Sequence, residues 1–500
     1  MDKLCEKNIP KYFYRLLFAV ILILGITVII KLQFQISTLH DADGYLHIRM
    51  AEIIRQTGPI HDFHWAKFSI FDKNFADKDF LFHLILIPFS FGANLLIDAK
   101  WAIVFLAMIF FIVFLIITKK YLLPSLTIAV FLCLFLSDKF VGALNNCRPM
   151  ILVITLTLLG IHFLIKKQLW GVFIITAIYS LTHVSGPYML FYALIIEIIR
   201  RITEKQFYSK SILITFLGII FAYLIHPNFP HNFLVFYLNA IIVPLYAVKW
   251  GLELGAEFFP ISTREFLLSY PVIIIGLATI FFIALFKRPQ TQFATKAVLT
   301  IAGAFLCSSL LSERYFIHTY PLFLLGLGMY LTDYFQYQPL TKRKIFLIPS
   351  AIFICLIAGL IGLRTAKSVT NNALNSELVN LHYQRASAWM DKNIPAGETV
   401  FHTNWSDSQY FIGLSPQHNY LVTLDPTYMY WWNPEIYNLY RAISFGQVQD
   451  PYTPLKEVFK IKYGYAGKNY FSGLINQIRQ DDKLFEILYE DNLGVIFALK

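Results

Sequence analysis

The sequence predicts a polytopic α-helical membrane protein that carries a small α/β domain at its C-terminal end. Of the 500 residues, 57% are hydrophobic and only 15% are charged, whereas soluble globular proteins carry about 25% charged residues. Apolar runs that approach the roughly 20 residues needed to cross a bilayer recur through residues 1–363. Residues 364–500 instead alternate helical and strand-like patterns, which is typical of an α/β layer.

Eleven apolar runs predict transmembrane helices, so residues 1–363 are expected to form one membrane module. The first run follows Lys3, Lys7, Lys11 and Arg15 and has no small-residue cleavage site after it. We therefore expect it to remain as a helix rather than to be removed as a signal peptide. The predicted spans lie near residues 16–36, 101–118, 121–137, 149–165, 169–185, 187–199, 211–225, 267–286, 297–312, 315–333 and 345–363.

Basic residues between these runs predict the orientation in the membrane. If the N-terminus is cytoplasmic and the run 80–97 lies at the outer interface without crossing, all five basic clusters fall on the cytoplasmic side, as the positive-inside rule requires. We therefore expect a protein of the cell (inner) membrane with an extracytoplasmic C-terminal domain. Most of the net charge of +11 comes from these clusters, so a nucleic-acid partner is not expected. The clusters are Lys119-Lys120, Lys166-Lys167, Arg200-Arg201 with Lys205 and Lys210, Lys287-Arg288 with Lys296, and Lys342-Arg343-Lys344.

This orientation places four segments on the outer face: the first loop 37–100, the loop 138–148, the long loop 226–266 and the domain 364–500. The C-terminal domain is expected to open with a helix in LVNLHYQRASAWMDKNI. Strands are predicted in ETVFHT, NYLVTLDP and GVIFALK. Two further helices are predicted, one from Pro434 to about Ser444 and one in SGLINQIRQ.

The stretch HDADGYLHIRMAEIIRQTGPI, residues 40–60, follows the first span and combines an amphipathic helix with acidic residues. Gly58-Pro59 ends the helical pattern. The apolar stripe predicts a helix that rests on the bilayer surface and holds an acidic site there. Its members, at positions i, i+4, i+7 and i+8, are Leu46, Met50, Ile53 and Ile54.

Asp41 and Asp43 lie where the first span meets water. If the helix begins near Asp43, this carboxylate and His47 lie one turn apart on the same side. A helix cap would explain one aspartate. It would not explain the pair, nor the basic and histidine residues that recur at later membrane exits.

Polar side chains cluster at the predicted outer ends of the later helices. Ionisable groups are costly at membrane depth, so they are usually functional or paired. Each of them alone could be an interfacial anchor, but their joint placement on one face indicates a site. They are Asp77, Asp79, Asn145, Asn146, Arg148, His183, His226, His231, Glu313, Arg314 and His318.

Such a set supports group transfer from a lipid-linked phosphate donor. A carboxylate can deprotonate or orient an acceptor, and arginine can hold a phosphate leaving group. We expect Asp43 to be this carboxylate, supported by Asp41, His47 and Asp79. The residues expected to contact substrate are Arg49, Arg148, His183, His226, His231, Arg314, Trp405 and Asp425.

The acidic pair could also hold a divalent cation, Mg²⁺ or Mn²⁺, at Asp43. Two aspartates spaced i, i+2 do not form a cage of oxygen ligands, so no cofactor is firmly predicted. In the C-terminal domain, the aromatic residues around Asp425 either stack on sugar rings or pack the domain against the membrane surface.

The sequence Asp43-Gly44-Tyr45, followed by His47 and Arg49, resembles the first outer loop of the GT-C membrane glycosyltransferases. It is most similar to the branch of oligosaccharyltransferase catalytic subunits. The resemblance implies that Asp43 is the catalytic or metal-binding carboxylate. It also implies inverting transfer of a sugar from a polyprenyl-phosphate-linked donor. Arg148-Pro149 and Asp79 are similar to features of related bacterial GT-C proteins.

Two departures from this family change the expected acceptor. Oligosaccharyltransferases carry a second acidic motif in the next outer loop, where this chain has Asn145-Asn146-Cys147-Arg148. Their Trp-Trp-Asp signature survives only in part, in Asn404-Trp405-Ser406-Asp407. We therefore expect transfer of single sugars to an envelope lipid, glycan or protein rather than glycosylation of sequons.

Two other functions remain open from the sequence. A transporter or flippase of lipid-linked glycans would place ionisable groups near the bilayer midplane, often in two related halves. Neither feature is evident in this sequence. A non-catalytic envelope scaffold would bind glycans through the aromatic C-terminal domain, and the loss of the second acidic motif is compatible with it.

Overall fold

The computed structural model describes residues 11–286, 290–336, 340–468 and 471–500. Lys3, Lys7 and the Lys287-Arg288 cluster lie outside these residues, and so do the side chains of Lys342-Arg343-Lys344. The described chain is mostly helical and ends in a small mixed sheet.

Helices are the dominant elements of the described residues. A π-helical segment, Leu238–Ala247, continues α12. The α-helices are α1 Lys11–Phe34, α2 Ala42–Thr57, α3 Phe71–Asn74, α4 Phe80–Leu86, α5 Leu95–Tyr121, α6 Pro124–Cys133, α7 Asp138–Ala143, α8 Met150–Ile165, α9 Leu169–Thr182, α10 Tyr188–Glu204, α11 Ser209–Ile225, α12 His231–Tyr237, α13 Thr263–Ser269, α14 Pro271–Phe286, α15 Phe293–Leu311, α16 Phe316–Gln336, α17 Leu340–Asn393, α18 Asp407–Leu414, α19 Thr427–Trp432, α20 Pro434–Ser444, α21 Tyr452–Glu457 and α22 Ser472–Gln480.

Local sequence explains several helix ends. The Asn94 side chain accepts hydrogen bonds from the backbone N–H groups of Leu96 and Ile97 and so caps α5. Pro124 begins α6, where its missing N–H costs no helical hydrogen bond. Gly58 ends α2 with a φ of 82°, a conformation that favours glycine.

The predicted spans are helical, but fewer of them are long enough to cross a bilayer than expected. Among the described residues, three helices have the required length and composition: Tyr12–Phe34, Leu95–Tyr121 and Phe293–Leu311. Helices α13 and α14, which meet at a bend of 84°, would form a fourth span if they are counted together. The shorter apolar helices of 10–17 residues are Phe80–Phe89, Pro124–Leu136, Met150–Ile165, Leu169–Thr182, Ser209–Ile225 and His231–Ala247.

The run 80–97 does not form one interfacial helix. It comprises α4 and a 3-10 turn that ends at Phe89, and its last residues already belong to α5. Pro88 lies in the 3-10 turn, and Asn94 begins the next helix. The break therefore follows from residues that interrupt one helix and cap another.

Helix α17 joins the helical bundle to the C-terminal domain without interruption. It contains 54 residues, so the last predicted span and the predicted first helix of the domain are one element. Four strands follow, in the order β1-β2-β4-β3. Strand β1 (Val400–His402) is parallel to β2 (Tyr463–Gly467), whereas β4 (Gly494–Leu499) is antiparallel to β2 and to β3 (Phe485–Glu490).

The strands expected in ETVFHT and GVIFALK are confirmed as β1 and β4, and the helices expected in the domain are confirmed as α20 and α22. The strand expected in NYLVTLDP is wrong. This extended segment pairs mainly with the first loop: the Tyr420 N–H donates to the Trp65 carbonyl at 2.8 Å, and the Phe68 N–H donates to the Leu421 carbonyl at 2.9 Å.

The apolar stripe of α2 packs against the C-terminal domain and not against a bilayer surface. Leu46, Met50 and Ile54 are buried in one cluster with Phe411 and Tyr420. The expectation of a surface-lying helix was therefore wrong, because a helical pattern identifies an apolar face but not what covers it.

Helices α2 and α18 approach closely at Gly413. A Cβ atom at this position would lie 2.6 Å from the backbone carbonyl carbon and oxygen of Tyr45, so glycine is required there. The carboxylates at the start of α2 therefore face the C-terminal domain across a tightly packed contact.

Candidate active site

Two carboxylates at the start of α2 share one guanidinium from the turn before α8. The Arg148 Nε atom lies 2.7 Å from Asp41 Oδ2 and 3.0 Å from Asp43 Oδ2. The Asp41 side chain is 8% exposed and that of Asp43 is 22% exposed. Asp43 is thus the carboxylate that a substrate reaches more easily.

Asp41 precedes α2 as its N-cap residue, but its side chain makes no capping hydrogen bond. Its Oδ1 atom instead accepts from the Cys147 backbone N–H at 3.3 Å. Burial raises the pKa of Asp41, the charge of Arg148 opposes this rise, and the charge of Asp43 adds to it. A helix cap therefore does not explain Asp41, which ties α2 to the turn before α8.

The turn that replaces the second acidic motif is held by buried amides. Gln33 Nε2 donates to the carbonyl oxygen of Asn145 at 2.9 Å and to its side-chain oxygen at 2.8 Å. The Asn145 side chain donates in turn to the Val141 carbonyl at 2.8 Å. Asn145 thus has a structural role and fixes the position of Arg148 three residues later.

The structure does not test the divalent cation expected at Asp43. The Arg148 Nε atom is at hydrogen-bond distance from one oxygen of each carboxylate, so a fixed positive charge already lies between them. Within the described ranges, no group of three or more His, Cys, Asp or Glu side chains is placed to hold a metal ion.

A second group of side chains lies between α2 and α4. Asp77 Oδ2 is 2.6 Å from His83 Nδ1, and His83 Nε2 is 2.7 Å from His47 Nδ1. All three side chains are buried. The structure therefore connects His47, one of the predicted catalytic residues, directly to His83 and through it to Asp77.

Lys78 and Asp79 form an ion pair beside this group. The Lys78 Nζ atom lies 2.5 Å from Asp79 Oδ2, whereas the buried Oδ1 atom of Asp79 makes no hydrogen bond. Burial raises the pKa of Asp79, and the charges of Lys78 and His83 oppose the rise. The Oδ1 atom is thus a buried acceptor whose hydrogen bond is not made.

The long loop after α11 supports the same segment. His226 Nε2 is 3.1 Å from the Asp77 carbonyl oxygen, to which it can donate. The Asn228 Oδ1 atom accepts from the Asp77 backbone N–H at 3.2 Å. His231, also a predicted substrate contact, is half-buried at the start of α12, next to the buried Asn232.

Positive charges converge near His183, which follows α9. The His183 ring is buried, and Lys78 and Arg314 are among the charged groups that act on it. Burial raises the pKa of Asp425, whereas hydrogen bonds from Thr427 and the charges of Arg314 and Lys78 oppose this rise. The structure thus brings three predicted substrate contacts, His183, Arg314 and Asp425, into one electrostatic neighbourhood.

Two other predicted substrate contacts hold protein elements together. Arg49 Nε donates to the Gly413 carbonyl at 2.9 Å, and its guanidinium pairs with Glu52. Trp405 Nε1 donates to the Glu253 carbonyl at 2.7 Å. These contacts join the C-terminal domain to α2 and to the long loop, and a role in substrate binding stays a prediction.

Two cavities adjoin the segment 76–79, and Ala76, Asp77 and Lys78 line both of them. The α11 cavity has a volume of about 20 Å³, and its other lining residues are Ser180, Val184, Ala222, Tyr223, His226, Asn232, Val235 and Phe236. The α2 cavity also has a volume of about 20 Å³, and its other lining residues are Leu46, His47, Met50, Phe63, Phe75, Asp79, His83 and Leu424.

Sequence reasoning did not assign Lys78 and His83 to the site. The available signal was the segment ADKDF, in which a lysine stands between two aspartates just before an apolar run. A lysine in such a position is usually solvated, and only the fold shows that Lys78 lies between two cavities.

Neither a protein-family model nor a curated protein matches the sequence. The fold, however, matches solved membrane glycosyltransferases along nearly the whole chain. The oligosaccharyltransferase of Archaeoglobus fulgidus in its apo form has a TM-score of 0.64 at 14% identity, over 92% of this chain and 70% of that chain.

Two further solved structures contain lipid phosphates. The archaeal oligosaccharyltransferase AglB from Archaeoglobus fulgidus, in complex with an inhibitory peptide and a dolichol-phosphate, has a TM-score of 0.61 at 12% identity, over 91% of this chain and 70% of that chain. ArnT from Cupriavidus metallidurans, bound to undecaprenyl phosphate, has a TM-score of 0.58 at 11% identity and covers 98% of both chains. The chain therefore has the fold of the GT-C membrane glycosyltransferases.

Proposed function

We propose that this protein transfers a single sugar, with inversion, from a polyprenyl-phosphate-linked donor to an envelope lipid, glycan or protein. The observation that carries this proposal is the position of Lys78 between the α11 cavity and the α2 cavity. The Lys78 ammonium group, which pairs with Asp79, can also bind the phosphate of the donor. The lipid phosphates bound to AglB and ArnT support a donor of this class.

The leaving phosphate gains negative charge as the bond to the sugar breaks, so fixed cations stabilise the transition state. Lys78 and Arg314 supply this charge around His183. The Arg314 guanidinium lies 4.4 Å from the ring centre of Phe258, a stacking contact that orients it. The buried His183 lies beside them and makes a hydrogen bond with Ser185 at 2.7 Å.

Asp43 is the group that we assign to the acceptor. Arg148 holds one of its oxygens, which fixes the carboxylate before substrate binds. Because Oδ2 is committed to this ion pair, Asp43 serves to orient the acceptor hydroxyl. The free oxygen of Asp79 in the α2 cavity is suited to a hydroxyl of the transferred sugar.

The test compares the wild-type protein with Asp43→Asn and Lys78→Ala in proteoliposomes. Each is incubated with radiolabelled polyprenyl-phosphate sugars and an envelope lipid extract, and the loss of sugar from the donor is measured. We expect turnover by the wild type and a loss of about 10²-fold or more in both variants. Asp62→Asn and Lys73→Ala change exposed residues of the same loop and should behave like the wild type.

Equal turnover in the wild type and both variants would contradict the assigned site. Tight donor binding without turnover of any donor would contradict the transferase and favour a transporter or a glycan-binding scaffold.

A further inference from the structure

An apolar stripe follows the outer side of the helical segment His231–Ala247, which consists of α12 and the π-helical segment after it. Phe233, Tyr237, Ile241 and Leu245 are spaced four residues apart and are all exposed, and Leu245 is 66% exposed. We call these four residues the α12 stripe. Contiguous exposed apolar surface of this kind marks contact with another protein or with a membrane.

The opposite side of the same segment is fixed to the C-terminal domain. Val235 and Leu238 are buried in one cluster with Tyr428. The Asn239 Nδ2 atom donates to the Tyr428 hydroxyl at 2.7 Å. The segment therefore belongs structurally to the outer domain, and its exposed side has no other face against which it could turn.

The α12 stripe continues the exposed surface of α11, a predicted membrane span. At the outer end of α11, Leu224 and Ile225 are exposed, as expected for side chains that face lipid. The ring centres of Tyr223 and Phe233 are 5.2 Å apart, and Asn232 Nδ2 donates to the Tyr223 carbonyl at 2.9 Å. The start of the stripe thus lies beside the lipid-facing end of a span.

The charge pattern of this part of the chain also favours lipid. The sequence between Lys210 and Lys249 contains no Asp, Glu, Lys or Arg. Lys249 follows the stripe directly and is exposed. A lysine at such an edge keeps its apolar stem along hydrophobic surface and places its ammonium group in the polar layer. This order suits an apolar surface that ends at lipid headgroups.

Aromatic side chains from the C-terminal domain extend the same surface. The ring centres of Trp431 and Tyr237 are 5.9 Å apart, and Trp250 stacks on Tyr430 with 5.0 Å between ring centres. Trp431 and Trp432 are both exposed. Tryptophan and tyrosine concentrate where a membrane meets water, so these rings resemble an interfacial belt beside the aliphatic part of the stripe.

A glycan fits this surface less well than lipid does. Sugar binding needs polar side chains beside the aromatic rings, but Asn239 already donates within the protein, and Arg441 pairs with Glu253 at 2.7 Å. Ile241 and Leu245 offer a sugar no hydrogen bond, whereas their transfer from water to hydrocarbon is favourable.

We propose that the α12 stripe, together with Trp431 and Trp432, lies in the outer leaflet of the membrane and holds the C-terminal domain on the lipid surface. Helices of this kind bury their apolar face roughly 5–10 Å deep, at the boundary between headgroups and acyl chains. The inference concerns where the domain lies and does not depend on sugar transfer.

The experiment places the fluorophore NBD on single cysteines in a cysteine-free chain reconstituted in lipid vesicles. Leu245→Cys reports on the stripe, and Leu217→Cys marks the exposed side of α11 near its middle. Lys483→Cys is the control at an exposed site of the C-terminal domain. The quenchers are aqueous iodide and phospholipids that carry a nitroxide either near the headgroup or at the middle of the acyl chain.

We expect NBD at position 245 to lose fluorescence to both lipid quenchers, and more to the one near the headgroup. NBD at position 217 should lose more to the quencher at mid-chain, because α11 crosses the bilayer. NBD at position 483 should respond to iodide alone.

Three results would overturn the proposal. Quenching at position 245 by iodide alone would place the stripe in water, and a change of its emission on addition of envelope oligosaccharides would then assign the surface to glycans. Protection from all quenchers would indicate that protein, such as a second copy of the chain, covers the stripe. Stronger quenching at mid-chain would indicate a segment that crosses the membrane.

A second measurement needs no cysteine replacement. Brominated phospholipids quench tryptophans that lie in lipid, so the combined changes Trp431→Phe and Trp432→Phe should lower the fraction of intrinsic fluorescence that these lipids remove. Trp65→Phe, which changes a buried tryptophan of the first loop, should not lower it. An equal quenched fraction in the double variant and the wild type would contradict the placement of this surface in the membrane.

Discussion

Arg148 determines what the two aspartates before it can do. It lies between Asp41 and Asp43. A metal ion coordinated by both carboxylates would lie there too, and it would need several further oxygen ligands. Its position depends on the buried Asn145, which accepts two hydrogen bonds from Gln33. The turn before α8 therefore presents a permanent positive charge to both carboxylates.

We predict that turnover does not depend on a divalent cation. A chelator should leave wild-type activity unchanged. Arg148→Ala would leave Asp41 and Asp43 without a counter-charge, so activity should fall by about 10²-fold and recover in part with added Mg²⁺ or Mn²⁺. Sugar release with and without EDTA measures both effects.

The control for this experiment is Arg385→Ala, whose side chain is 66% exposed and which should keep wild-type activity. Wild-type turnover that is abolished by EDTA and restored by Mg²⁺ would contradict a role of Arg148 in place of a metal ion.

The residues of the site differ in how far the sequence revealed them. The sequence singled out Asp41, Asp43 and Arg148 because they stand at predicted membrane exits. The structure brings these three side chains into one contact, and their role in a reaction stays a prediction. The role of Lys78 and His83 depends on which cavity each side chain lines, and that is set by packing between elements far apart in the chain. Sequence pattern carries no such information.

At the scale of elements, the docking of α18 on α2 positions the site. Arg49 and Gly413 make a hydrogen bond across this contact, and the stripe of α2 is buried beneath it. The sequence predicted α2 and its end correctly. It did not predict that NYLVTLDP would pair with the first loop. An alternating apolar pattern indicates an extended segment, but it does not specify the segment with which it forms hydrogen bonds.

We predict that Gly413→Ala separates these two helices. The added methyl group would lie 2.6 Å from the Tyr45 carbonyl carbon, and such overpacking typically costs about 1–3 kcal/mol. Thermal unfolding and donor binding should both be impaired. In contrast, Gly142→Ala places its methyl group where nothing lies within 4 Å and should be neutral or stabilising. Equal stability of both variants would contradict the close contact.

A carboxylate within the C-terminal domain makes its stability depend on pH. Tyr383 donates to Asp407 Oδ1 at 2.5 Å, and burial raises the pKa of Asp407 from 3.8 to about 7, although Tyr383 and the Asn404 backbone oppose the rise. Because the folded state binds the proton more tightly than the unfolded state, stability should fall as pH rises from about 4 to about 7 and then level off.

This loss should amount to at most about 4 kcal/mol and should disappear in Asp407→Asn. Thermal unfolding at several pH values measures it. Asp482→Asn, at an exposed site of the same domain, should keep the wild-type slope. An unchanged slope in Asp407→Asn would assign the pH dependence to other groups.

At the scale of the molecule, the fold was predicted better than the number of spans. The order of helices and the position of the C-terminal domain follow from apolar runs and composition. The lengths of the helices do not follow from these features. Several helices of 10–17 residues are shorter than the roughly 20 residues that a bilayer requires. Their predicted boundaries rested on hydropathy, which does not register where a turn or a bend begins.

We predict that Lys392 and Lys119 lie on opposite sides of the membrane, with Lys392 outside. Both residues are exposed, and Lys119 belongs to a basic cluster expected in the cytoplasm. In a cysteine-free background, Lys392→Cys should react with a membrane-impermeant maleimide in intact cells, whereas Lys119→Cys should react only after lysis. The reverse labelling pattern would invert the proposed orientation.

The continuous helix α17 also limits how the protein can move. At 1.5 Å per residue, its 54 residues extend for about 80 Å, and an uninterrupted helix bends gently along its length. A flexible linker would let the C-terminal domain move independently of the helical bundle. The continuous helix α17 instead couples a tilt of the domain to a tilt of the bundle. Local rearrangement is therefore expected in shorter elements, such as the π-helical segment Leu238–Ala247, which interrupts regular helical hydrogen bonding.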